Sequence, residues 1–172
     1  MTEKKQIFSS KVKYDGVFSF SGFYKFCYDY LTEEFGFYVA ESKYAEKITG
    51  DAKEIKIEWE GEKKITDYFK YVIKVEFNII GLKNVEIQKE GKKIQTNKGL
   101  VEISVKGIFV SDYEGKYNTS PTLRFFRGVY EKWIIPSTIE QLEGKLVSNC
   151  DGFLGETKAY LDLEGKKENK KW

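Results

Sequence analysis

The 172-residue sequence contains no histidine. Histidine is the commonest general base in enzymes, a frequent zinc ligand and the side chain that most often changes its charge near neutral pH. Acid–base catalysis would therefore fall to Asp, Glu, Lys or Tyr alone, and no catalytic motif joins such residues here. The sequence thus predicts a protein that is not an enzyme and that uses no cofactor and no metal.

Cysteine and arginine are almost as scarce. Cys27 and Cys150 are the only cysteines, too few for a secreted disulfide scaffold or a zinc site. Both lie among apolar residues at helical spacing, so we expect buried thiols and not nucleophiles. Arg124 and Arg127 are the only arginines among 29 basic residues, and the formal net charge is +2. A lysine-rich, nearly neutral chain predicts no nucleic-acid partner.

The sequence also lacks a long apolar run. No segment of 18 apolar residues could span a bilayer, and no apolar run follows the N-terminal charges. The expectation is a cytoplasmic protein without a membrane partner. Because no repeat, low-complexity block or linker divides the chain, residues 1–172 are expected to form a single domain. The charged residues 164–172 are expected to be a mobile tail.

The stretch that organises the chain runs from Tyr68 to Ile80. Apolar residues alternate strictly with mostly polar ones, which is typical of a strand with one buried face. Its length, roughly 40 Å at ~3.3 Å per residue, favours a strand that twists and bends. Six residues make up the face predicted to be buried: Phe69, Tyr71, Ile73, Val75, Phe77 and Ile79.

Further strands and one helix surround this stretch. An apolar stripe at steps of three and four residues predicts a helix at about 21–35, with a serine before it and Gly36 as its C-cap. Gly81 and residues 97–99 are interpreted as turns. The fold class is therefore α+β, with a curved antiparallel sheet of about six to seven strands that is backed by the C-terminal helices. The predicted strands are 6–18, 37–48, 53–60, 68–80, 85–87, 93–96 and 100–110.

The last third of the chain changes to a helical period. Residues 119–121 predict a helix start, with a capping hydroxyl and then proline, and Pro136 is expected to end this helix. Ser137 and Glu140 form a capping box that begins a last helix reaching about residue 163. Whether residues 137–163 form one helix or two is left open. The apolar stripe of the first of these helices contains Leu123, Phe126, Tyr130, Trp133 and Ile134.

This order of elements resembles the START-like helix-grip superfamily, in which a curved antiparallel sheet wraps a long C-terminal helix. The resemblance covers nearly the whole chain and rests on the order of elements, since no residue motif assigns a subfamily. Those domains usually carry two short helices after the first strand, where this chain has one. The resemblance implies a cavity between the sheet and the C-terminal helix that would hold an apolar small molecule.

The last helix carries a line of small residues opposite its apolar side. Each glycine inside a helix costs about 1 kcal/mol relative to alanine, so a merely solvated face would gain from other residues. The pattern favours close approach of the preceding helix, another subunit or a ligand, and the alternative is a helix break at residues 151–152. We call these residues the small-residue face: Gly144, Ser148, Gly152, Gly155 and Ala159.

Three smaller features are candidate sites. Arg124 and Arg127 lie one turn apart near a helix N-terminus and form a candidate anion anchor, with pairing to nearby acidic residues as the alternative. Asp112 and Glu114, beside Tyr113 and Tyr117, lack the loop signature of a hard-metal site. Residues 118–120 match the glycosylation pattern, but without a secretory signal the serine is better assigned as a helix cap.

Two function hypotheses follow from these features. In the first, the protein is a non-enzymatic interaction or assembly subunit. It would use the small-residue face and the aromatic residues around the first helix to contact a protein partner or copies of itself. In the alternative, it is a helix-grip-like carrier of an apolar small molecule.

Overall fold

A computed structural model describes residues 3–116, 119–134 and 136–168, except for the side chains of Lys89, Ile134, Lys167 and Glu168. These residues form one five-stranded antiparallel sheet and three α-helices. The strands are β1 (Glu3–Phe18), β2 (Tyr38–Thr49), β3 (Ala52–Lys64), β4 (Phe69–Lys89) and β5 (Lys92–Ser111). The helices are α1 (Phe20–Asp29), α2 (Pro121–Val129) and α3 (Pro136–Glu168). One π-helical turn extends α1 over Tyr30–Glu34, and another extends α2 over Tyr130–Ile134.

The strand order is β1-β5-β4-β3-β2. The predicted α+β class is confirmed, with its antiparallel sheet and one helix after the first strand. The predicted number of six to seven strands is wrong, because β4 and β5 each join two predicted strands. β4 passes through Gly81, which has φ +66 at a shift in register between Ile80 and Lys83. β5 passes through residues 97–99. Gly81 therefore marks an irregularity within β4 and not a turn.

The buried face of β4 is the predicted one. All six of its alternating residues are at most 3% exposed. On the other face Lys74 and Glu76 are exposed. Lys70 is half-buried there, because its Nζ lies 5.7 Å from the centre of the Tyr113 ring in the loop after β5. We call the face that carries the six residues the inner face of the sheet.

The start and end of α1 follow the predicted signals. The Oγ of Ser19 accepts a hydrogen bond of 3.3 Å from the backbone N–H of Gly22. Gly36 has φ +72, and the backbone N–H of Phe37 donates to the Leu31 carbonyl at 2.9 Å. A helix followed by glycine in the left-handed region is the usual termination that satisfies the last carbonyl groups. The prediction of a helix over residues 21–35 is confirmed to within about one residue.

Most aromatic residues of α1 lie in the core. The Phe23 ring packs edge-on against Phe77 at 5.9 Å, and the Tyr24 ring packs against Trp59 at 5.1 Å. Both partners belong to the inner face of the sheet. Most of the aromatic residues around the first helix therefore complete the interior, and a subunit contact by this region stays a prediction.

α3 is one continuous helix from Pro136 to Glu168, so the alternative of a break at residues 151–152 is wrong. It begins one residue before Ser137, which places that serine in the first turn. It also includes residues 164–168 of the predicted mobile tail, while residues 169–172 lie outside the described part of the chain. The helix packs on the inner face through four fully buried side chains: Leu146, Cys150, Phe153 and Leu161.

Two contacts fix α3 against the sheet. The Tyr71 hydroxyl donates to the Leu142 carbonyl at 2.6 Å, and burial raises the pKa of Tyr71 to about 12. At Gly107 of β5 an added Cβ would lie only 2.9 Å from the Cys150 Sγ.

Burial raises the pKa of the Cys150 thiol to about 12 and that of Cys27 well above its ordinary value. The expectation of two buried thiols is confirmed.

None of the helices in the described ranges is long and apolar enough to cross a membrane.

Candidate functional site

α2 is an amphipathic helix whose apolar side is largely exposed. It starts as predicted, since the Oγ of Ser120 accepts from the Leu123 backbone N–H at 3.2 Å and proline follows the cap. The expectation that both C-terminal helices back the sheet is wrong for α2. We call five residues of α2 and its π turn, each more than a third exposed, the aromatic face: Leu123, Phe125, Phe126, Tyr130 and Trp133.

The side of α2 that faces the sheet carries a charge cluster. Arg127 is the buried residue of this helix, at 8% exposure. Its Nη2 lies 2.7 Å from Glu3 Oε2, its Nη1 lies 3.8 Å from Asp112 Oδ2, and its Nε lies 3.4 Å from Glu131 Oε1. The Tyr68 hydroxyl also donates to the Glu131 carboxylate. α2 is therefore held by ion pairs, which leaves its apolar side outward.

The register of the sheet brings the residues that surround Arg127 to one end of the sheet. Glu3 of β1 pairs with Ser111 of β5, and Ser111 pairs with Phe69 of β4. Asp112 follows β5 directly and Tyr68 directly precedes β4, so both residues lie at the same end of these two neighbouring strands. Burial, together with the carboxylate of Glu131 in the π turn after α2, raises the pKa of the Tyr68 hydroxyl.

The two arginines of the candidate anion anchor have different surroundings. Arg127 shows the alternative arrangement, because three carboxylates surround its guanidinium. Arg124 is on the exposed surface of α2. The structure therefore does not bring the two side chains together around one anion.

The acidic loop after β5 is used in ion pairs. Asp112 lies beside Arg127, and Glu114 Oε2 lies 2.6 Å from Lys116 Nζ, a contact that lowers the pKa of the Glu114 carboxyl. Within the described residues, no group of three or more Cys, Asp or Glu side chains is arranged to hold a metal ion. Tyr117 and Asn118, the remaining residues of the candidate loop and of the glycosylation pattern, lie outside the described residues.

The small-residue face lies on the outer side of α3. Gly144 and Gly155 are exposed, and a Cβ added at either would meet no atom of the described chain within 4 Å. At Gly152 the nearest atom to such a Cβ is the Phe35 Cζ, at 3.8 Å. The preceding helix does not pack here, so that form of the close-approach hypothesis is wrong. Approach by another chain stays a prediction.

Replacing Gly155 with alanine is expected to stabilise the isolated chain by about 0.5–1 kcal/mol, because alanine has the higher helix propensity and nothing crowds the position. Urea denaturation at low protein concentration measures the change. Gly107→Ala is the matched control and should destabilise, since its Cβ would lie 2.9 Å from the Cys150 Sγ. A loss of stability in Gly155→Ala would show that this face is already in contact within one chain.

Two pockets lined by described residues adjoin α3, with volumes of about 170 Å³ and 370 Å³. The first is lined in part by Lys5, Ile139 and Glu143, and the second by Tyr14 and Asp162. Both open to solvent and include charged side chains. A carrier of an apolar molecule needs a mostly apolar cavity that buries its ligand. These pockets therefore give no specific support to a carrier.

Comparison with protein-family models, with curated proteins and with solved structures finds no match to this chain. The resemblance to the START-like helix-grip superfamily thus stays a prediction from the order of elements.

Proposed function

We propose that this chain is a non-enzymatic interaction subunit, which binds another protein chain through the aromatic face of α2. The observation that carries the proposal is the exposure of Phe125, Phe126 and Trp133, at 67%, 57% and 73%. Single exposed apolar residues are common on protein surfaces, but a contiguous apolar patch marks an interaction site. Aromatic side chains also supply much of the binding energy at protein interfaces.

The attachment of α2 supports this proposal. A surface helix ordinarily turns its apolar stripe to the core and its charges to water. Here Arg127 and Glu131 face the end of the sheet, and the aromatic residues face outward. The ion pairs hold the helix together with one aromatic contact, in which the Tyr130 ring packs edge-on against Tyr68 at 6.1 Å. The aromatic face is therefore available to a partner while α2 stays fixed.

The spacing within the aromatic face indicates how a partner would bind. Leu123, Phe126, Tyr130 and Trp133 recur at steps of three and four residues, the pattern of an amphipathic helix that lies in a groove of its partner. Residues 121–134 span ~20 Å at 1.5 Å per residue. The partner we propose is a protein with a groove of about that length. The compartment we propose is the cytoplasm.

The proposal is tested by placing a photo-reactive amino acid at Phe125, with a second variant that carries it at the exposed Lys74 of β4 as the matched control. We expect irradiation in the native cell to give discrete protein adducts from position 125 and not from position 74. Changing Phe126 and Trp133 to serine should lower the adduct yield by about tenfold or more, since such anchors dominate interfaces. Equal adducts from both positions, or none from position 125, would contradict the proposal.

A further inference from the structure

We infer that the free end of the β4–β5 hairpin is a second binding surface of this chain, and that it binds double-stranded DNA in the major groove. This surface lies at the opposite end of the sheet from α2. Phe69, at the start of β4, follows the Tyr68 that donates to Glu131, whereas Lys89, at the other end of β4, precedes the turn of the hairpin. Binding at one end is therefore independent of binding at the other.

The hairpin extends beyond its neighbours in the sheet. β3 pairs with β4 only as far as Leu82, and β1 pairs with β5 only as far as Asn97. Beyond these positions residues 83–89 and 92–96 pair with each other, and neither segment has a further strand partner within the described residues. We call residues 83–98 the ribbon. It is ~20 Å long at ~3.3 Å per residue.

The positive charge of the chain is concentrated in the ribbon. The ribbon carries five lysines and two glutamates, a net charge of +3, whereas the rest of the chain has 24 basic and 25 acidic residues. The nearly neutral total, which predicted no nucleic-acid partner, therefore conceals a local excess. A clustered basic surface binds phosphates because it releases their counterions.

The ribbon has one face with basic residues and no acidic ones. Lys83 and Lys98 lie opposite each other at its base, and Lys92 lies at its tip, opposite Lys89 in the register. Because side chains alternate between the two sides of a strand, Lys83, Lys98 and Lys92 share a face. We call this the lysine face. The positions between its lysines hold Val85, Ile87, Ile94 and Thr96.

The acidic residues of the ribbon lie elsewhere. Glu86 pairs with Gln95 on the other face, and Glu90 is in the turn. One carboxylate from outside the ribbon approaches the lysine face, since Asp51 Oδ1 lies 3.8 Å from Lys83 Nζ. Both side chains of that pair are more than half exposed, so it contributes little. Like charges directly opposite each other destabilise a strand pair, and an anionic partner would relieve this repulsion.

The composition of the ribbon favours phosphates over a protein partner. Residues 83–98 contain no arginine and no aromatic residue, the types that dominate protein interfaces. Binding to single-stranded nucleic acid also depends on aromatic residues that stack on the bases. Lysine is a flexible point charge that suits phosphate. A duplex is therefore the anionic partner that the ribbon fits best.

The shape of the ribbon favours DNA among duplexes. Two strands lie ~4.8 Å apart, and the major groove of DNA, about 12 Å wide, admits a two-stranded ribbon with its side chains. The major groove of double-helical RNA is too narrow for side chains to read. In the DNA groove the lysines can reach phosphates, and the exposed Ile94 can contact thymine methyl groups. Without arginine to read guanine, we expect little sequence preference.

The test measures binding of the full-length chain to a short fluorescent DNA duplex of mixed sequence by anisotropy, over a range of salt concentrations. The ribbon variant carries Lys83→Gln, Lys92→Gln and Lys98→Gln. We expect the unaltered chain to bind the duplex at low salt. The ribbon variant should bind about tenfold more weakly or worse, and its slope of log affinity against log salt should be shallower by about 3. It should be no less stable in urea, because a repulsive lysine pair is lost.

A control variant of the same net charge carries Lys43→Gln, Lys47→Gln and Lys145→Gln, three exposed positions outside the ribbon. It should bind the duplex within about twofold of the unaltered chain, because these lysines do not contact the DNA. Equal weakening in the two variants would mean that net charge and not the ribbon attracts the duplex, and would overturn the inference.

Three further outcomes would overturn it. They are failure of the unaltered chain to bind the duplex at low salt, tighter binding to a single-stranded oligonucleotide of the same length, and tighter binding to poly-L-glutamate. The last would identify an acidic protein as the partner of the ribbon. None of these outcomes changes the adducts expected from position 125, so failure of the ribbon and failure of the aromatic face are distinguished.

Discussion

Replacing Arg127 with methionine is expected to lower the free energy of unfolding by about 3–5 kcal/mol, because removing one partner of a buried ion pair leaves the other charge uncompensated. Asp112 is 2% exposed, and its Oδ2 lies 3.8 Å from the Arg127 Nη1. Methionine keeps the apolar stem of the side chain but removes the cation. The carboxylate of Asp112 then stays in a buried position without the positive charge beside it.

Urea denaturation measures the free energies of unfolding of Arg127→Met and of the control variant Arg124→Met. Arg124 is exposed on the same helix, so its loss should cost less than about 1 kcal/mol. Adding Asp112→Asn to Arg127→Met should recover part of the stability, because the amide carries no charge. Equal costs for the two methionine variants would contradict a structural role for the charge cluster.

Replacing Ile73 with alanine is expected to cost about 2–5 kcal/mol, the usual range for truncating a fully buried aliphatic residue. Ile73 is 1% exposed and pairs with Gly61 of β3. A Cβ added at Gly61 would lie 2.7 Å from the Ile73 Cγ2. Gly61→Ala alone should therefore cost about 1–3 kcal/mol through overpacking. The double variant should cost less than the sum, because the new methyl enters space that Ile73 has vacated.

Denaturant titrations of the two single variants and the double variant measure this coupling. Lys74→Ala is the control next in sequence, and its side chain is exposed on the opposite face, so it should change stability by less than about 0.5 kcal/mol. Strictly additive costs would contradict the contact between positions 61 and 73.

The sequence predicts the buried face of β4 because alternation alone determines which residues share a side. It does not predict the number of strands. A glycine with positive φ serves equally well in a turn and in an irregular strand, and only the pairing partner distinguishes them. Asn97 gave a local turn signal, yet its side chain accepts from the Phe20 backbone N–H at 3.0 Å and donates to Asn84 at 2.9 Å. Such long-range hydrogen bonds are not visible in a local pattern.

The two helical surfaces show the same difference between features that a local pattern determines and features that depend on long-range contacts. The small-residue face was placed correctly opposite the buried side of α3, because helical geometry determines the angle between residues of one helix. The expectation that α2 backs the sheet was wrong. The actual orientation of this helix could not be read from its own sequence. It depends on Arg127 meeting Glu3 and Asp112, of which Glu3 is far away in sequence. The spacing of Arg127 and Glu131, four residues apart, was the one local signal that the polar side is used for attachment.

The strand order also determines the sequence in which the fold can assemble. β2 to β5 can pair as successive hairpins while the chain is being made, but β1 pairs only with β5, with Phe18 opposite Asn97 and Glu3 opposite Ser111. β1 must therefore wait until the last strand of the sheet has been synthesised. Closing such a long loop has an entropic cost and slows folding. During that interval the edge of β5 that β1 will cover is exposed to other chains.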